Sequence, residues 1–188
     1  MPDYLKISEL PVASSVAPTD QIELNQAGTS RSATIGLSVG VYQTVSYQTG
    51  ALATGTTVIP ADDTIPQITE GDEYMTLAIT PKSATSKLII DVTFNGAHSS
   101  TSTPCTAVAL FQDSTANALA ASFAQVSGGD IRFNVRFSHT MTSGSTSART
   151  YRVRAGAHVA GTLTFNGGGG ARTYGGVMAS SITIQEVA

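Results

Sequence analysis

This chain has no tryptophan, one cysteine, few charges and no long apolar run, and each shortage removes a class of protein. With Cys105 alone, an intrachain disulfide is impossible, and so is a paired-cysteine zinc or redox site. The residue reads as a small hydrophobe on a strand. Charged residues make up 12 % of the 188, and the net charge is -3, so no strong field draws the chain to nucleic acid or to an anionic membrane. No stretch approaches the roughly 20 apolar residues of a membrane helix. Met1-Pro2-Asp3-Tyr4 lacks the basic start and apolar run of a secretion signal. The expectation is a protein made in a reducing cytoplasm, without membrane insertion and without export by the usual route.

What the chain does have is Ser, Thr, Ala and 18 Gly, with a hydrophobic content of 41 %. That mix disfavours helix, favours short strands joined by tight turns, and is too apolar for a wholly disordered chain. Residues 1–40 are the exception. They hold few large apolar groups, among them Ile7, Leu10, Pro11, Ile22 and Leu24, and bury too little surface to fold unaided. Alternation over 21–25 and 32–37 around Ala27-Gly28-Thr29 predicts a hairpin, which alone is marginal in water. It is expected to order on docking or by pairing with copies of itself.

Residues 41–55 read as a connector and 56–188 as the body. Strand signals recur at 57–59, 74–80, 87–94, 106–112, 118–124, around Ile131 to Phe137, and at 150–158, 162–165 and 181–187. That spacing predicts an all-β, antiparallel, jelly-roll-like sandwich head behind an extended N-terminal docking segment. No repeat of 20–50 residues points to a solenoid or propeller.

The opening Lys6-Ile7-Ser8-Glu9-Leu10-Pro11, with Asp20, Gln26 and Gly28-Thr29, resembles the N-terminal segment of bacteriophage virion fibre proteins. Ala61-Asp62-Asp63-Thr64-Ile65-Pro66-Gln67, Glu70-Gly71-Asp72-Glu73-Tyr74 and the run from Thr80-Pro81 to Lys87-Leu88 are similar to the start of their C-terminal β head. The resemblance implies a homotrimeric all-β knob on the virion surface, docked through residues 1–40 on another virion structural protein, with no catalytic residue and no cofactor. The chain lacks a long shaft, which fits a stubby spike, a short tail fibre or a head fibre. Trimerisation would also let a small sandwich with few aromatics bury one face of each head, and would raise the avidity of weak contacts to a host surface polysaccharide. The alternative is a capsid decoration protein with no receptor. A cellular lectin-like module is a third reading, disfavoured by the absent signal.

Within the body, seven arginines against three lysines suggest a choice of geometry over bare charge. If 133–140 and 150–157 form a hairpin, Arg136 stands opposite Arg154, Ser138 opposite Arg152, and Arg132 opposite His158. Such a row either binds an anionic glycan, or pairs with acids such as Asp91, Asp113 or Glu186 on the same or a neighbouring subunit, or is a solvated face. Gly167-Gly168-Gly169-Gly170 has no Gly-Lys-Ser/Thr and no following helix, so it reads as an exposed tip loop in which Asn166, Gly168, Arg172 and Tyr174 would suit sugar contacts. Asp62, Asp63, Glu70, Asp72 and Glu73 could offer oxygens to Ca²⁺ but lack a calcium-loop spacing. His98, His139 and His158 are scattered, and three copies of one could meet only on a trimer axis. No metal site is assigned. Gly-x-Ser-x-Gly is absent, nothing brings Asp113 to Asp130, and no enzyme is expected.

Overall fold

The computed structural model describes Gln21–Gln26, Thr29–Thr34 and residues 40–188. The chain divides into Met1–Val39 and Gly40–Ala188. In the first unit, β1 (Gln21–Gln26) and β2 (Thr29–Thr34) pair antiparallel with Gln26 opposite Thr29, as the alternation predicts. Ile22 stands opposite Ala33 and Leu24 opposite Arg31.

The second unit contains β3 (Val41–Thr49), β4 (Ala53–Gly55), β5 (Asp72–Ile79), β6 (Lys87–His98), β7 (Cys105–Gln112), β8 (Ala120–Gln125), β9 (Arg132–Thr142) and β10 (Arg149–Ala157). It ends with β11 (Leu163–Phe165), the two-residue strands β12 (Gly167–Gly168) and β13 (Ala171–Arg172), and β14 (Ser180–Val187). One sheet has the order β5-β10-β7-β8. In the other, β3-β14-β6 continues to β9, while β11 and β4 extend it beside the far end of β6. All pairs are antiparallel. Taking the eight long strands in chain order, the first, eighth, third and sixth form one layer, and the second, seventh, fourth and fifth the other. That is jelly-roll connectivity.

Alternation builds the core. Leu88, Ile90, Val92 and Phe94 of β6, Phe133 and Val135 of β9, and Ile182 and Ile184 of β14 turn inward. They meet Met75 and Ile79 of β5, Val108 and Leu110 of β7, and Tyr151 and Val153 of β10. Phe94 packs edge-on against Tyr74 at a centroid distance of 5.5 Å and tilted against Phe165 at 5.0 Å. A register shift between Val153 and Arg154 leaves Tyr74 as the extra residue of a bulge on β5, so Tyr74 joins Met75 at the core.

Two expectations fail here. The stretch assigned as a connector supplies β3, which pairs with β14 along most of its length, because Val45 finds a place on the core beside Ile184. Conversely, 57–59 is not a strand. Residues 56–71 form a strap across the outer face of the four-stranded sheet, with Ile59 and Ile68 packed on Ala109 and Phe111. The strap approaches β10 closely at Gly156, where a Cβ would run into the Thr57 carbonyl and the Ile59 amide. It returns at Gly71, whose φ of 61° is left-handed.

The sandwich has two distinct ends. The Ala188 amide donates to the Gly40 carbonyl at 3.4 Å, so the chain enters the body beside its last residue. At the opposite end of the same strands lie Thr49, Asn166 and Ser180. The nine residues of β3 separate the two ends by about 30 Å at a rise of about 3.3 Å each.

Candidate functional site

The arginine hairpin does not exist. β9 pairs with β6, so Arg136 stands opposite Thr93 and Arg132 opposite Ala97. β10 belongs to the other sheet, where Arg152 stands opposite Thr76 and Phe111, and Arg154 opposite Glu73 and Ala109. The chain crosses between layers after Thr142 instead of turning back. Phe133 and Val135 on one strand and Tyr151 and Val153 on the other must face each other across the core, which a hairpin within one sheet forbids.

The β10 arginines act locally. Arg154 donates from Nε to the Glu70 carbonyl at 3.0 Å and from Nη2 to the Gly71 carbonyl at 2.7 Å, clamping the end of the strap. Its Nη1 lies 3.7 Å from Glu73, which Arg152 meets at 3.2 Å. Arg149, absent from the expected row, pairs with Asp113 at 3.1 Å. The Thr150 amide, helped by Gln112 and Arg149, holds the Asp113 carboxyl below its usual range against burial, which raises it. Of the three acids named as partners, Asp113 does pair. Glu186 is buried on neutral donors instead: the Lys82 and Ser83 amides, the Ser86 hydroxyl and the Gln43 amide. Burial alone would raise its pKa, and those donors together lower it.

His158 is exposed, and its Nδ1 accepts from the Cys105 amide at 3.0 Å. His98 is buried with Nδ1 accepting from the Ser100 amide at 3.2 Å. Burial lowers its pKa, Asp130 opposes this, and His158 adds to it. His139 lies on β9 opposite Ile90, away from both.

The acidic stretch is distributed among separate donors. Asp62 accepts from the Thr64 amide, Glu70 from the Gln67 amide, Asp72 from the Thr57 amide and hydroxyl, and Glu73 from Arg152. Among the described residues, no group of three His, Cys, Asp or Glu could hold a metal ion.

The loop 166–177 divides by depth. Asn166, with φ 56°, is buried: its Nδ2 donates to the Thr49 and Ala51 carbonyls and its Oδ1 accepts from the Ser180 hydroxyl at 2.7 Å. It is therefore a pin and not a tip contact. Gly168 is buried too, beneath the Arg132 guanidinium. Arg172 and Tyr174 are exposed, Tyr174 at 78 % and in left-handed backbone at φ 48°. Sequence reasoning separated Arg132 from this loop, yet the fold joins them. Arg132 Nε donates to the Thr173 hydroxyl at 3.1 Å, and the Gly169 amide donates to Asp130. The end remote from Gly40 thus carries Arg132, Arg172, Tyr174 and Val177, the last 85 % exposed. Of the proposed docking residues, Ile7, Leu10 and Pro11 lie outside the described residues.

A groove went unpredicted. It lies between the strap and the outer face of β7 and β8, has a volume of about 340 Å³, and is lined by Ile59, Pro60, Asp62, Ala107, Ser122 and Phe123 among others. Phe123 is 62 % exposed. The available signal was a large ring on the outward phase of Ala120–Gln125, where its strand neighbours are Ala, Ser and Gln.

Fold and surface together define a jelly-roll sandwich with Gly40 and Ala188 at one end and Arg132 and Thr173 at the other. No protein-family model matches the sequence, and no curated protein matches it. Among solved structures, the chain is similar to Eiger TNF from S. frugiperda, with 9 % identity over 77 % of this chain and 93 % of that one and a TM-score of 0.45. It is also similar to a protein of infectious bursal disease virus Gx strain, with 16 % identity, 96 % of this chain, 45 % of that one and a TM-score of 0.39. A third similarity is to the enzymatically active domain of bacteriophage CBA120 tailspike protein 4, with 15 % identity, 66 % of this chain, 19 % of that one and a TM-score of 0.27. Among the described residues, no helix is long and apolar enough to cross a membrane.

Proposed function

We propose that this chain is a structural component of a phage particle, a trimeric spike or short fibre that docks through residues 1–40 and adsorbs to host surface glycan with its sandwich head. The supporting observation is the polarity of the body. The chain enters at Gly40 beside Ala188, and the exposed Arg132, Arg172 and Tyr174 sit at the opposite end of the strands. A head held by its near end presents that cluster outward. Its guanidiniums suit carboxylate or phosphate groups and its phenol suits a sugar ring. The resemblance of the opening segment to fibre proteins supports the same orientation.

Trimerisation is favoured by the outer face of the β3-β14-β6 layer. Ser46, Thr183 and Asp91 form one cross-strand row and Gln48, Ser181 and Thr93 the next, a broad polar face on which Asp91 and, on β9, Arg136 are the charged members of these rows. The test is binding of the full chain to bacterial surface polysaccharides on an array. Arg172→Ala and Tyr174→Ala should each lower binding about tenfold, a typical loss for an aromatic or arginine anchor. Absence of binding to any polysaccharide would replace this reading with that of an architectural decoration protein.

A further inference from the structure

We propose that the groove between the strap and β8 is a second ligand site, one that takes a neutral pyranose sugar. This rests on reading the head as receptor-facing, and it differs from the arginine cluster in place and in chemistry. The groove floor is Ala107 and Ala121, which face outward beside Phe123 and leave one flank of the ring uncovered. A flat aromatic wall over a small-residue floor accepts the apolar C–H face of a sugar ring. Ile59 and Pro60 form the facing wall, held by Gly156 below and by the Ile59 amide donating to the Ala157 carbonyl.

The polar groups are few and placed. Asp62 Oδ1 accepts from both the backbone and the hydroxyl of Thr64, which fixes the carboxylate, while its Oδ2 has no hydrogen-bond partner among the described residues. A fixed carboxylate oxygen accepts from vicinal sugar hydroxyls, while Ser122 stands opposite the core residue Val108 and turns its side chain to the inner face. Mostly apolar walls with one fixed carboxylate, at about 340 Å³, match the lower end of small-molecule sites, which run from about 300 to 1,000 Å³. No cation lines the groove, so the carboxylate disfavours an acidic sugar and selects a neutral one. The Thr64 hydrogen bonds also lower the Asp62 pKa, which keeps that acceptor ionised.

Location adds an independent argument. Cys105, at the start of β7, lines the groove, and its backbone carbonyl receives the His158 amide. That is the end of the sandwich reached by His98, remote from Gly40.

The experiment is titration of the full chain with glucose, galactose, rhamnose and N-acetylglucosamine at millimolar concentrations, read by amide chemical shifts, with glucuronic acid as the anionic control. The expected result is saturable shifts at residues 59–62 and 121–123 with at least one neutral sugar, and weaker ones with glucuronic acid. Phe123→Ala should weaken that binding about tenfold, while Phe123→Tyr retains it. Because Phe123 is exposed, the rest of the spectrum should stay unchanged. Absence of shifts in the groove with all four sugars, or binding indifferent to Phe123→Ala, overturns the proposal. The two readings fail separately: loss of polysaccharide adsorption in Arg172→Ala with groove binding intact spares this site, whereas adsorption unaffected by Phe123→Ala removes it and spares the arginine end.

Discussion

Asn166 shows how one side chain can decide the geometry of an end. It takes a left-handed conformation, and its amide bridges the segment after β3 to the start of β14. Asn166→Ala leaves two carbonyls and the Ser180 hydroxyl without their partner, and should lower stability by about 2–3 kcal/mol in chemical denaturation. Glu186 does comparable work at the other end, binding the turn before β6 to β14. Folding lowers its pKa, so the stability it contributes is complete above its ordinary value of 4.5 and is lost as pH falls below that. Glu186→Gln should cost about 2 kcal/mol at neutral pH and flatten the decline of melting temperature between pH 5 and 3, a range set about the ordinary carboxylate pKa. Neither residue was legible as a pin in the sequence. An Asn beside a glycine run read as a tip contact and the Glu as a partner for the arginines, since the Asn166 carbonyl partners lie 115 or more positions away and the Glu186 donors 100 or more.

At the scale of elements, alternation was the reliable signal. The strands from β5 to β11 and β14 lie where apolar residues fall on every second position, because each buries one face in a common core. What failed was partnership. Nothing in the period of β9 and β10 distinguishes a hairpin from a crossing between layers, and only the need to cover both faces of the core decides it. Residues 57–59 of the strap were read as a strand for a related reason: Val58 and Ile59 suit either, but Gly156 admits a backbone passing above the sheet. Gly156→Ala should lift residues 56–71, measured as faster amide exchange there with β6 and β14 unchanged. Arg154→Lys should act in the same direction at residues 70–71, since an ammonium cannot reproduce the two guanidinium contacts.

For the whole molecule, the all-β class was readable from composition and spacing, while the grouping of surface residues at one end was not. In the loop read as a tip, Arg172 and Tyr174 are exposed and Asn166 and Gly168 are buried, and the meeting of Arg132 with that loop required the sheet order. The trimer proposal predicts a particle of three times 19.3 kDa for the full chain in sedimentation. Substituting Thr183→Arg, in the middle of that outer face, should shift it to the monomer by placing a long charged side chain in the contact between copies. A monomer at all concentrations in the unsubstituted chain would remove that proposal.

The contact of Ala188 with Gly40 gives the head a reversible polarity. A short linker from Ala188 to Val41, with new termini opened in the exposed turn at 101–103, keeps every strand pair of the sandwich but moves its termini to the other pole. Such a permuted head would carry Arg172 and Tyr174 beside its tether and point the Glu186 end outward. The two versions, mounted on the same support, would separate what the fold contributes from what its orientation contributes.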